Sequence, residues 1–511
     1  MNRDILLAAE QVFLDPAVWG VVILSACYGV FLGAMPGLTA TMGVALFVPM
    51  TYWMEPVPAL ASIVTMVACA IFAGDIPTTL VRVPGTPASA AYADDAYALA
   101  QRGEAGRALG TSLWFSVLGG LLGALVLIGL GHQLAKMAAL FSVTEYFWLY
   151  LMGLSCAVVV GRFGIARSLV GLLIGLLLST VGLSAVHGQA RFTFGHAELF
   201  QGINFIPAMI GLFGLSEVLR NAGHLQATPQ AATEGSDGSS GDGRGGDGRG
   251  GILGPAIKML GKRPISFLRS SAMGSAIGIL PGAGADMAAW VCVAVSKRFS
   301  KQPQQYGRGS AECIADACAG NSSSLAGAWI PAMVFGIPGD SVTAIVIGVL
   351  YMKNLKPGPE IFEQQGALVY SIYLIFILAN LVLLPVGWCA VKLGREVMRI
   401  PRRVLLPVIL MFCIVGSFAV NGSSFDVILM LGFGLLGVLC ERFKISIGAL
   451  VLGLILGGPL EERFVQTLAG GQGSLRAFFD RPLALLLAVV CLLLWAGVAV
   501  NTIRKSRESE G

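Results

Sequence analysis

Mostly apolar stretches recur along the whole of this 511-residue chain, separated by short polar turns. They lie near residues 17–35, 57–74, 109–131, 145–161, 165–183 and 203–219 in the first half. In the second half they lie near 270–296, 367–391, 404–420, 425–440, 445–457 and 483–503. Crossing the hydrocarbon core of a bilayer takes roughly 20 apolar residues. The pattern therefore predicts an all-α polytopic membrane protein with about 12 transmembrane segments.

Composition agrees. Hydrophobic residues make up 55% of the chain and charged residues 12%, against about 25% charged in a soluble domain. So few charges cannot cover a water-facing surface of this size, so lipid is the solvent for much of the chain. The 67 glycines suit close helix packing in a bilayer. A net charge of +5, dispersed along the chain, excludes a nucleic-acid partner and leaves membrane lipid as the surrounding phase. The ten cysteines are scattered from Cys27 to Cys491 without a C-x-x-C pair and read as small buried apolar residues. No metal site, H-E-x-x-H or G-x-S-x-G pattern appears, and the N-terminus lacks a signal-peptide cleavage pattern.

A run of Gly, Ser, Asp and Arg from Gly235 to Gly251 reads as a flexible, solvated linker. It divides the chain into an N-terminal transmembrane repeat (1–225), a hydrophilic linker (226–255) and a C-terminal transmembrane repeat (256–511). Cytoplasmic loops carry the excess of Lys and Arg. Placing Arg102, Arg107, Arg162, Arg167, the linker region with Arg263 and Arg269, Lys392 to Arg403, Arg442, Lys444 and the tail residues Arg504, Lys505 and Arg507 in the cytoplasm gives consistent alternation through 102–220 and 392–511. The region 270–391 does not resolve as cleanly.

Two motifs occur once in each half. Gly29, Gly33, Pro36 and Gly37 recur as Gly274, Gly278, Pro281 and Gly282, and Met42 recurs as Met287, all at a shift of 245 residues. Ile76, Pro77, Val83, Pro84 and Gly85 recur as Ile330, Pro331, Ile337, Pro338 and Gly339 at a shift of 254. Two motifs in the same order with the same internal spacing point to a duplication. The flanks suggest that it is inverted. Thr51 to Pro58 carries only Glu55, whereas Ser296 to Arg308 carries Lys297, Arg298, Lys301 and Arg308.

Pro-Gly inside an apolar segment breaks a helix, because Pro lacks a donor and Gly permits the bend, so each motif either interrupts a crossing helix or forms the tip of a re-entrant hairpin. Freed backbone groups survive at membrane depth only inside protein or beside a watery cavity. A helix restarting after the break aims N–H groups and a positive dipole end at that cavity, which is an anion site. Breaks at corresponding places in two halves are the sequence mark of a transporter site near the midplane. The candidate substrate residues are Pro36, Gly37, Leu38, Thr39 and Thr41, then Arg82, Pro84, Gly85 and Thr86. In the second half they are Pro281, Gly282, Ala283, Gly284, Asn321, Ser322, Pro338, Gly339 and Ser341. Asp75, Asp286 and Asp340 are candidates for a coupling cation or proton, since an ionisable group in a membrane segment is functional by default. The plainer alternative is that the breaks only shape the fold. Arg82 either clamps a carboxylate bidentately or pairs with Asp75. Asp94-Asp95 and Glu461-Glu462-Arg463 read as solvated loops, and Asn321 to Ser324 as a polar run lining a cavity.

These residues resemble a known family. GVFLGAMPGLTATM, VPGTPASAAYADDAYALAQRGEAGRALG, GILPGAGADMAAWVCVAVSKRFSK, IPAMVFGIPGDSVTAIVIGVL and LVLGLILGGPLEERF occur in the order found in the large membrane subunit of the tripartite tricarboxylate transporters. The resemblance implies a permease of the bacterial inner membrane, driven by a Na+ or H+ gradient and needing no other cofactor. It implies a small membrane subunit, a periplasmic solute-binding protein, and an organic carboxylate as substrate, citrate being one in the family. This chain has Arg82-Val83 where the family often has Asn-Thr, acids at Asp75, Asp286 and Asp340 where it often has small residues, and Cys318 where it commonly has an acid. The resemblance thus implies a substrate class and leaves the particular acid open. Two rival readings are a stand-alone transporter of another substrate class and a membrane-embedded enzyme. The latter needs a catalytic cluster at one interface, whereas the few intramembrane polar residues here go with the paired breaks.

Overall fold

A computed structural model of the chain describes residues 2–35, 38–161, 163–184, 188–223, 254–282, 284–397 and 402–510. Pro36, Gly37, Ala283 and all but the last two residues of the 226–255 linker lie outside the described residues. The described elements are helices, apart from one antiparallel ribbon of Gly182–Leu183 with Ala190–Arg191.

The principal helices of the first half are α1 (Pro16–Ala34), α2 (Ala40–Thr51), α3 (Pro56–Ala73), α4 (Asp75–Val81), α5 (Ala105–Ala138), α6 (Val143–Val160) and α7 (Ile165–Ser179). The second half has α8 (Pro264–Ile279), α9 (Gly284–Phe299), α10 (Ala311–Phe335), α11 (Ser341–Met352), α12 (Gly366–Val397), α13 (Arg402–Asn421), α14 (Ser424–Arg442), α15 (Ile447–Gly470) and α16 (Pro482–Glu510). Local chemistry sets several starts. Asp15 caps α1 by accepting the Ala17 N–H at 2.8 Å, with Pro16 in the first turn. Ser142 and Glu145 close a capping box on α6.

Among the described residues five helices are long and apolar enough to cross a membrane: Pro16–Ala34, Pro56–Val81, Ala105–Ala138, Gly366–Leu393 and Ser424–Arg442. Six further apolar helices run 10–17 residues. Two departures from the expected spans matter for the site. The stretch 270–296 is not one span but α8 and α9, parted at Leu280 to Gly282. And α10, absent from the expected spans, is the most enclosed long helix, with 23 of its residues from Ala311 to Val334 buried. Glu312, Asp316 and Asn321 to Ser324 lower its hydropathy below a lipid-facing signal. Protein rather than lipid surrounds it, and several of those groups find partners there. The Ser323 hydroxyl donates to the Ser271 carbonyl at 2.8 Å and that of Ser324 to the Asn321 carbonyl at 2.7 Å.

Glycines bring the helices together. A β-carbon on Gly29 would lie 3.0 Å from the Met66 Cα, and one on Gly33 2.9 Å from the Ala70 carbonyl carbon, so α1 lies directly on α3. The same relation joins α8 to α10. There Gly274 meets the Gly320 carbonyl carbon at 2.7 Å, and Gly278 meets the Ser324 Cα at 3.0 Å. Both partners, Gly320 and Ser324, stand 254 residues beyond Met66 and Ala70. The packing thus recurs at the two shifts read from the motifs. Across the halves α5 packs on α10, with Gly119 and Gly123 against Ala319 and Ser323, while α12 packs on α3. At the centre the buried Trp329 meets Phe376 edge-on, with ring centroids 5.3 Å apart.

Candidate functional site

In the second half the two breaks are bonded to each other. The Gly282 N–H donates to the Gly339 carbonyl at 2.9 Å. Gly282 (φ +79°) and Gly284 (φ +67°) both hold left-handed backbone, which side-chain-bearing residues resist. A β-carbon on Gly282 would stand 2.8 Å from the Ala157 Cα, which places α6 against the break. Gly336 (φ +68°) ends α10, and Asp340 starts α11 four residues on.

The first half repeats part of this. The Gly85 N–H donates to the Gly74 carbonyl at 3.3 Å and to the Thr78 hydroxyl at 3.2 Å. A β-carbon on Gly85 would stand 2.6 Å from the Gly74 Cα, as one on Gly339 would stand 2.8 Å from the Ala328 Cα. It would also stand 3.0 Å from the carbonyl oxygen of Gly33, so the loop at Pro84 closes onto the end of α1.

The halves then meet crosswise. Helix α2, after the first break, packs on α11, after the fourth. Helix α9, after the third, packs on the turn Ser89–Tyr92, after the second. The Trp290 indole N–H donates to the Pro87 carbonyl at 3.2 Å.

Several candidate groups are engaged locally. Thr39 caps α2, its hydroxyl accepting the Met42 N–H at 3.2 Å, and Leu38 is buried. Thr86 and Ser89 bond reciprocally, each hydroxyl accepting the other's N–H at 3.1 Å. Asp340 forms a capping box with Thr343, taking its N–H and hydroxyl at 2.8 Å each. Its carboxylate thus occupies the positive end of α11 itself. Ser341 and Thr41 are half-buried in the first turns of α11 and α2. Asn321 is 2% exposed and its Oδ1 accepts nothing, while the adjoining Ser322 is buried too.

Asp75 is 2% exposed and accepts from the Tyr92 and Ser112 hydroxyls, with the Cys318 thiol at 3.6 Å. It joins α4, the Ser89–Tyr92 turn, α5 and α10. Arg82 does not pair with it. Arg82 pairs with Asp94 at 2.7 Å, both side chains being about 60% exposed. Asp286 is exposed in the first turn of α9.

Three readings of polar segments are corrected. Asp95 is no solvated loop residue. It is buried, and its Oδ1 accepts the N–H groups of Gly307, Gly309 and Ser310 at 2.7–2.9 Å, tying the two halves together. Glu461 to Arg463 lie inside α15, where Glu461 holds Arg191 bidentately at 2.8 and 2.9 Å. Asn321 to Ser324 are buried in the packed interface of α10 and line neither of two chambers found elsewhere in the protein.

Those two chambers lie apart from the breaks. One of about 540 Å3 is lined by Arg102, Arg107, Arg308 and Glu312 among others. One of about 860 Å3 is lined by Asn204, Tyr351, Asn421 and Asp426 among others. Sequence reasoning passed over Asp426 because it follows Asn421-Gly422-Ser423, which reads as an ordinary turn. Among the described residues no group of three or more His, Cys, Asp or Glu could hold a metal ion.

Apolar crossing helices interrupted at buried Gly-rich breaks define a multi-pass membrane protein built on broken helices. The pattern of the tripartite tricarboxylate transporter TctA family matches residues 20–452, and the chain belongs to that family, a transporter family whose members work in tripartite systems. It is 31% identical over 480 residues, 94% of this chain and 93% of the relative, to a protein of Agrobacterium vitis described as an uncharacterized 52.8 kDa protein in the TAR-I ttuC' 3'region. A second protein of that organism, described as lying in the TAR-II ttuC' 3'region, is 31% identical over 238 residues, 46% of this chain and 97% of its own length. No solved structure matches the chain.

Proposed function

We propose that the chain is the permease subunit of an ion-gradient-driven importer of an organic carboxylate, in the bacterial inner membrane. A periplasmic binding protein delivers the substrate, and a small membrane subunit completes the assembly. The observation that carries the site is the bond from Gly282 to Gly339, which holds two helix breaks together with helices leading away from both. The substrate carboxylates lie against the four Pro-Gly breaks. The Thr41 and Ser341 hydroxyls and first-turn N–H groups of α2 and α9 donate, and Arg82 stands at the rim. Backbone donors and helix N-termini favour anions at such a place.

Loop placement supports inversion of the two halves. The 99–107 and 302–312 loops share the arginine-lined chamber, which the excess of basic residues puts in the cytoplasm. The Lys353 ammonium donates to the Tyr52 carbonyl at 2.7 Å, so the 51–55 loop lies with the far end of α11. The loop after α2 and its counterpart after α9 then face opposite sides. Alternating access follows from one set of breaks moving against the other.

The test is uptake of labelled di- and tricarboxylates by cells lacking their own carriers, expressing this chain with its small subunit and binding protein. A Thr41→Ala/Ser341→Ala variant should keep its membrane level and show a several-fold higher KM. An assembled wild-type complex that takes up no carboxylate under either a sodium or a proton gradient would overturn the reading.

A further inference from the structure

The 860 Å3 chamber has the wrong charge for a carboxylate. It opens between the ends of α7 and α13, the start of α14, the far end of α11, and Asn204 to Ile206. Glu198 and Asp426 line it, and no Lys, Arg or His does. A di- or tricarboxylate entering it would meet like charge and no cationic partner.

Asp426 is built into the wall. It is 5% exposed, and its Oδ2 accepts from the Asn421 amide at 2.8 Å and the Asn204 amide at 3.2 Å. Asn204 is held in that orientation because its Oδ1 accepts the Ile206 N–H at 3.3 Å. Both amide hydrogen bonds to Asp426 fall on Oδ2, and Asp426 lines the chamber wall.

The remaining buried carboxylates are engaged. Asp75 takes two hydroxyls and Asp95 three backbone N–H groups, while Glu145, Glu217 and Asp316 pair with Arg481, Arg220 and Arg269. A buried carboxylate with neither a cation nor a full set of donors is costly. At Asp426 the chamber supplies a route by which a cation can arrive. Glu198 is exposed, so Asp426 is the one buried carboxylate in the wall; set among neutral amide and hydroxyl oxygens it matches a single positive charge, and hard cations take oxygen ligands.

Position gives the site a direction. Arg167 stands at the start of α7, Arg402 and Arg403 at the start of α13, and Arg442 and Lys444 at the end of α14. Each is at the far end of its helix from the chamber, which therefore opens on the extracytoplasmic side. Helix α11 lines it with Tyr351 and Met352 and begins at the Gly339 break, about 18 Å away for a 12-residue helix.

We infer that this chamber is a binding site for a monovalent inorganic cation entering from outside, with the Asp426 carboxylate as its charged ligand and the Asn421 amide oxygen as a neutral one. Its part in coupling rests on the permease reading, with α11 as the element shared by cation and substrate. Binding itself does not depend on that reading.

The experiment is 22Na+ binding, without any carboxylate, to the full chain co-purified with its membrane partner in lipid nanodiscs. Wild type should bind saturably, with excess unlabelled Na+ displacing the label and choline leaving it. Asp426→Asn should weaken binding at least 10-fold, and Glu363→Gln, at an exposed residue outside the chamber, should leave it unchanged. Because Asp426→Asn could fail to fold, the exchange variant Asn421→Asp/Asp426→Asn is measured beside it. It returns the carboxylate to the same chamber and should restore saturable binding. No saturable 22Na+ binding by wild type, or equal binding by a folded Asp426→Asn, would overturn the site whatever the uptake assay gives. Displacement by choline as effective as by Na+ would also overturn it, by making this an organic ammonium site.

Discussion

Gly278 sits against Ser324 so closely that a β-carbon there would lie 3.0 Å from the Ser324 Cα, and Gly33 stands to Ala70 in the same way. In both halves the helix before the break is pressed on the backbone of a buried neighbour, which cannot yield as a side-chain tip can. Gly278→Ala and Gly33→Ala should therefore each destabilise the protein by about 1–3 kcal/mol through overpacking. Gly129→Ala has open space around it and should hold or raise stability, by up to about 1 kcal/mol. Thermal unfolding in nanodiscs reads the difference. Equal melting temperatures for Gly278→Ala and Gly129→Ala would mean that α8 does not lie on α10 as described.

Asp75 gathers the Tyr92 and Ser112 hydroxyls inside the protein. Asp75→Ala leaves both without their acceptor and should cost about 1–3 kcal/mol for each hydroxyl left unpaired. Asp75→Asn keeps an acceptor oxygen and should cost less. If Asp75 is a structural hub, Asp75→Asn should retain gradient-dependent uptake wherever it folds. Loss of gradient dependence with an unchanged melting temperature would return Asp75 to the coupling role.

Much of this architecture was legible in residues. The Pro-Gly motifs and their two shifts reappear as packing, Gly29 on Met66 and Gly274 on Gly320. Hydropathy found α5 and α12 because lipid and apolar neighbours make the same demand on a side chain. It missed α10 because a helix wrapped in protein can carry Asp316 and Asn321 to Ser324, and the partners of Asp316 and Ser323 come from other segments. Partner choice was illegible for the same reason. Arg82 lies seven residues from Asp75 in sequence, yet its left-handed backbone (φ +56°) ends α4 and its side chain meets Asp94. Asp426 gave no signal, since its amides come from Asn204 and Asn421, on different segments.

Asp95 is the clearest tie between the halves outside the helix packing. One carboxylate oxygen accepts three N–H groups from the turn before α10. Hydrogen bonds to a charged group contribute about 1.5–3 kcal/mol each. Asp95→Ala should therefore destabilise strongly and release the 307–310 turn, whereas Asp95→Asn, with a neutral acceptor in place, should lose less. Hydrogen exchange at Gly307, Gly309 and Ser310 is the specific readout. Unchanged protection in Asp95→Ala would show that the turn is held by other contacts.

Arg82 separates a stability role from a transport role. Its pair with Asp94 is exposed on both sides, and such pairs contribute about 0–1 kcal/mol. Arg82→Ala should therefore leave the melting temperature nearly unchanged. The guanidinium nevertheless stands two residues before Pro84, beside the Tyr97 ring, and its ionic partner is a carboxylate that an incoming substrate carboxylate can replace in kind. If it receives substrate at the rim, Arg82→Ala should raise the KM for uptake several-fold while leaving kcat nearly intact. Arg82→Lys should recover little, because a point charge does not reproduce the planar fork. Asp94→Asn should do the reverse and lower the KM, since it removes the competing carboxylate. A KM that stays fixed across all three variants would confine Arg82 to its surface pair and leave substrate recognition to the backbone and hydroxyls of the breaks.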